Sequence, residues 1–60
     1  MEFVLFHISG EPIYIVKSKI VALEKYDETR TRVVLIEDEC YVIYIVDGSL
    51  ESNKKLVEES

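Results

Sequence analysis

Apolar residues arrive in short blocks separated by polar punctuation, and the blocks are rich in β-branched and aromatic side chains. The first block is Phe3–Ile8, interrupted by His7. Ser9-Gly10-Glu11-Pro12 follows and predicts a turn, because Gly supplies a positive φ and Pro fixes its own. Ile13-Tyr14-Ile15-Val16 then predicts a strand. Lys17-Ser18-Lys19 breaks the pattern. Residues 20–26 fit either a strand or a single helical turn, and their Val and Ile content favours the strand. Asp27-Glu28-Thr29-Arg30 reads as a second turn, residues 31–36 as a strand, Glu37-Asp38-Glu39 as a third turn, and residues 40–46 as the strongest strand of all. Asp47-Gly48-Ser49 ends the β portion. Ser49 is placed to cap a helix by accepting from an amide two or three residues on. That helix has a thin apolar stripe of Leu50, Leu56 and Val57, and Lys54 and Glu58 are spaced i,i+4 on it. The expected fold is one domain over 1–60, mainly β with a short C-terminal α-helix. It has four to five antiparallel strands over about 2–8, 12–16, 20–26, 31–37 and 40–46, a helix over about 50–59, and a small curled or barrel-like sheet.

The strands depart from simple alternation. Val33 and Leu35 face one way and Val34 and Ile36 the other. Tyr41, Ile43, Ile45 and Val42, Tyr44, Val46 repeat the pattern in the last strand. Strands apolar on both faces belong between two covering layers, and one short helix cannot supply a whole layer. Either the sheet curls on itself or a second subunit covers it. Size favours the second subunit. A chain of 60 residues buries only about 60% of the surface it exposes when unfolded. The usual reinforcements are missing: one cysteine, Cys40, excludes an intrachain disulfide, and one histidine, His7, excludes a Cys/His metal cage. A homo-oligomer is therefore expected.

Charge narrows the partners. The net charge of −5 argues against nucleic acid, whose phosphates call for an excess of Lys and Arg, and against an anionic membrane surface. It suits another protein with a basic surface. No apolar run is long enough to span a bilayer, and Met1-Glu2-Phe3-Val4-Leu5-Phe6 lacks the basic start of a signal peptide. The single unpaired cysteine fits a reducing compartment, so a cytoplasmic location is expected.

Candidate chemistry is sparse. His7 and Cys40 would make a nucleophile and base only if the fold joined them, and no local signature surrounds either; each reads as an ordinary strand residue, Cys40 as a small buried or strand-end thiol. Glu37, Asp38 and Glu39 form an acidic cluster without the alternating oxygens and Gly of a calcium loop, and read as a solvated hairpin tip in preference to a cation ligand set or a patch that mimics phosphates. Four tyrosines, Tyr14, Tyr26, Tyr41 and Tyr44, are of a residue type enriched at interfaces. Arg30 and Arg32 with Lys17 and Lys19 make a local basic spot conceivable. Gly10 and Gly48 are isolated, and neither opens a phosphate-cradling loop. No catalytic residue, metal or cofactor is expected. The candidate interaction residues are Tyr14, Tyr41, Tyr44, Glu37, Asp38 and Glu39.

Taken in order, Ser9-Gly10-Glu11-Pro12-Ile13-Tyr14-Ile15, residues 20–24, Thr31-Arg32-Val33-Val34-Leu35 and residues 41–46 with Ser49 opening a helix resemble the small flagellar FlbD-like family over most of the chain. The resemblance implies short strands followed by a brief terminal helix, and it implies no catalytic residues. Glu37-Asp38-Glu39 stands where that family usually has a Gly in the turn between its last two strands. The functional expectation is a non-enzymatic interaction module that self-associates and binds another protein. The alternatives are an acidic inhibitor or adaptor, for example a viral one, that blocks a basic surface of a nucleic-acid enzyme, and a small RNA-binding regulator.

Overall fold

Two-residue turns divide the β portion into hairpins. The computed structural model describes residues 2–60, which form β1 (Phe3–Ile8), β2 (Glu11–Val16), a 3-10 turn (Lys17–Lys19), β3 (Ile20–Asp27), β4 (Arg30–Glu37), β5 (Cys40–Asp47) and α1 (Leu50–Glu58). The fold is mainly β with one short C-terminal helix. Every strand pair is antiparallel: β1 pairs with β2, and β3-β4-β5 is a meander. The two sheets do not close into a barrel; β1 packs against β5 without joining its ladder.

The turns are tighter than the sequence suggested. Glu11 and Pro12 are already strand, paired with Ile8 and His7, so the first loop is Ser9-Gly10, with φ of 50° and 84°. Positive φ at both central residues is the backbone of a type I′ hairpin, whose twist matches that of its strands. The β4–β5 loop does the same with Asp38 and Glu39, at 48° and 66°. Asp tolerates this region, whereas at Glu39 an L-residue occupies it at a cost of roughly 1 kcal/mol. The β3–β4 loop, Glu28-Thr29, lacks positive φ. A β-bulge at Tyr26 sits just before it, and a second lies at Val21. Residues 20–27 are strand, which settles the ambiguity over that segment.

Strand parity then separates two faces. Across the meander, Ile20–Leu35–Val42, Leu23–Val33–Tyr44 and Lys25–Thr31–Val46 form rows on the inner face. The buried core joins Val33, Leu35 and Val46 of these rows to Val4, Phe6 and Ile15 of the hairpin. The β1–β2 hairpin thus covers the inner face as a second layer, and α1 packs on β1, β3 and β4.

A polar cluster fixes the helix. Ser49 caps α1 by accepting from the Ser52 amide. Leu50, Asn53 and Val57 share a helical face, and the fully buried one is Asn53, 2% exposed. Its Nδ2 donates to Thr31 Oγ1 at 2.9 Å and is shared among the carbonyls of Asp47, Gly48 and Ser49 at 3.1 Å. Thr31 Oγ1 in turn donates to the Gly48 carbonyl at 2.9 Å. Gly48 has φ of 101°, a backbone that favours glycine, and a Cβ there would come within 3.1 Å of Asn53 Nδ2 and push on that amide. Among the described residues, no buried side-chain polar atom lacks a partner. The Lys54 and Glu58 side chains are not paired.

Candidate interaction surface

The same parity that builds the core leaves the opposite face of the meander bare. Its rows are Ala22–Val34–Ile43, Glu24–Arg32–Ile45 and Ile36–Tyr41, with Asp27–Arg30–Asp47 closing the face at the far end. Tyr41 is 70% exposed and Ile43 53%, and Ile36 is also exposed. The Glu24–Arg32 pair compensates itself, with Arg32 Nη1 3.6 Å from Glu24 Oε1. The hairpin and α1 lie on the other side, where Asn53 reaches Thr31. The hairpin has an outer face of its own. On it Phe3 meets Tyr14 edge-on, with ring centroids 6.5 Å apart, and Tyr14 is 67% exposed.

The three candidate tyrosines therefore do not converge. Tyr14 belongs to the hairpin's outer face and Tyr41 to the meander's, whereas Tyr44 has inner parity and packs half-buried against the core. Tyr26 lies at the bulge before the β3–β4 loop, with the Arg30 guanidinium 4.7 Å from its ring centroid. Glu37, Asp38 and Glu39 are brought together as an exposed tip, and Lys19 Nζ lies 3.6 Å from Glu37.

The basic spot suggested by the sequence does not form. In register, Lys17 and Lys19 precede Ile20, which pairs with Leu35, while Arg30 and Arg32 lie toward the other end of β4. Arg30 is taken up by Asp27, with Nη2 2.6 Å and Nε 2.9 Å from the same carboxylate oxygen, and Arg32 by Glu24. Lys17 Nζ donates to the Ser60 carbonyl at 2.8 Å. Asp27 also accepts from the Thr29 amide at 2.9 Å. The Arg30 guanidinium, and after it the Thr29 amide, hold the Asp27 carboxyl below the usual carboxylate range.

His7 and Cys40 stay apart as well. Asp47 accepts from the Ser9 and Gly10 amides at 3.1 and 2.8 Å, tying the β1–β2 turn to the end of β5. His7 sits beside that turn. Cys40 is at the opposite end of β5, about 23 Å away at the rise of an extended strand. Cys40 is an exposed strand-end thiol rather than a buried one. No group of three or more His, Cys, Asp or Glu among the described residues is arranged to hold a metal ion. No helix among them is long and apolar enough to cross a membrane.

The sequence showed that β4 and β5 are two-sided, and the signal for which side faces out was confined to Arg30 and Arg32, which share parity with Val34 and Ile36. Val34, Ile36, Ile43 and Phe3 were not singled out for that reason. Comparisons with protein-family models, curated proteins and solved structures return no significant match.

Proposed function

We propose that this chain is a non-enzymatic interaction module that self-associates and binds another protein. The observation that carries the reading is the bare apolar face of the β3-β4-β5 meander, centred on Tyr41 and Ile43. Contiguous exposed apolar surface of this kind marks association sites in soluble domains. The separation of His7 from Cys40 supports the absence of a nucleophile–base pair. The exposed Glu37-Asp38-Glu39 tip and the net charge of −5 favour a basic surface on the second partner. A free, exposed thiol suits a reducing compartment, which favours the cytoplasm. The order of short strands and terminal helix is also what the FlbD-like resemblance leads one to expect.

Association that engages the folded chain raises its unfolding temperature with concentration. The thermal midpoint should therefore climb by several degrees between about 5 and about 200 µM chain. A midpoint independent of concentration over that range would overturn self-association.

A further inference from the structure

The geometry points to a second copy of this chain as the occupant of the bare meander face, in an isologous, face-to-face dimer built on Val34, Ile36, Tyr41 and Ile43. This rests on the reading that the chain self-associates, and adds which surface does so.

Charge is the first argument. Two copies at −5 each repel, so they can meet closely only where neither presents net charge. The apolar part of the meander face meets that condition. Its rows Ala22–Val34–Ile43 and Ile36–Tyr41 carry no ionisable group apart from the Tyr41 phenol, and the Arg32–Glu24 pair is internally balanced, while the net negative charge of the Asp27–Arg30–Asp47 row lies at the far end of the sheet. A basic partner would gain nothing from such a face and would be drawn to the acidic tip instead.

Area is the second. Three strands about 4.8 Å apart and eight residues long at about 3.3 Å per residue project to roughly 370 Å². Two such faces exceed roughly 700 Å² in projection, and the relief of Tyr41 and the isoleucines adds to this. The total lies below the roughly 1,200 Å² at the small end of stable interfaces, which places the contact among weak, transient associations.

The edges supply the third. Proteins blunt edge strands that must not pair. β3 carries two bulges, at Val21 and Tyr26, and β2 carries Pro12. β5 has part of its edge against β1. Pairing edge to edge is thus obstructed on three strands, while the meander face has no such obstruction.

A wild-type dilution series followed by NMR tests this without a variant. The methyl and ring resonances of Val34, Ile36, Tyr41 and Ile43 should shift or broaden with concentration, and those of Phe3 and Tyr14 should not. Ile43→Asp should raise the dimer dissociation constant at least about 30-fold, the effect of losing a central interface anchor. Concentration-dependent changes confined to Phe3 and Tyr14 would overturn the assignment of the face and leave self-association standing. No concentration dependence at any residue would overturn both.

Discussion

Asn53 is the residue on which three elements meet. Its amide joins α1 to Thr31 of β4 and to the carbonyls that lead out of β5. Replacing it with Ala leaves those acceptors in a water-poor site, which costs about 2 kcal/mol. For a domain of this size that lowers the thermal midpoint by about 10 °C, as read by circular dichroism. A drop under about 4 °C would mean that water takes over the amide's bonds. Little in the sequence marked Asn53: it lies among Ser52, Lys54 and Lys55, and only its i+3 and i+4 spacing to Leu50 and Val57 hinted at an inward face. Asp27 shows the same limit for charge. Its carboxyl is lowered in the folded chain, chiefly by Arg30, so it binds its proton less readily folded than unfolded. The stability it contributes is complete above the ordinary carboxylate value of about 3.9 and is lost as pH falls through the lowered folded value. Carboxyl NMR should show Asp27 titrating below the ordinary value, and Arg30→Ala should move it upward. An unchanged midpoint in that variant would contradict the assignment of cause.

Among the elements, strand positions were legible because β-branched and aromatic blocks alternate with turn residues, and the helix start was legible from Ser49. The bulges of β3 were not. One sits before a loop without positive φ and the other near the start of β3, and neither position has a composition signal. The β4–β5 turn was legible in place but not in conformation. Nothing in Asp38-Glu39 announces two left-handed residues, since such turns favour Asn-Gly. The strain is testable. The double substitution Asp38→Asn, Glu39→Gly should stabilise the fold by about 1 kcal/mol, raising the midpoint by about 4–8 °C. A lower midpoint would show that the carboxylates of the tip contribute more than the backbone loses.

At the scale of the whole molecule, one layer of cover serves two apolar faces. The hairpin takes the inner face, leaving a core of Val4, Phe6, Ile15, Val33, Leu35 and Val46 and a bare outer sheet. The sequence carried the imbalance in the two-sided pattern of β4 and β5. Arg30 and Arg32, which share parity with Val34 and Ile36, pointed to the outward set in β4, whereas the two sets of β5 from Tyr41 to Val46 are equally apolar and left the choice to the hairpin and to Asn53. Opening of the two sheets, rather than closure into a barrel, keeps that face broad and available for a copy of itself. The most direct measurement is sedimentation equilibrium of the wild-type chain and of Ile43→Asp, side by side across the micromolar range. The wild-type mass should rise from 7.0 kDa toward twice that value with concentration, while the folded variant stays at the monomer mass. A wild-type chain that remains folded at 7.0 kDa throughout would contradict the account.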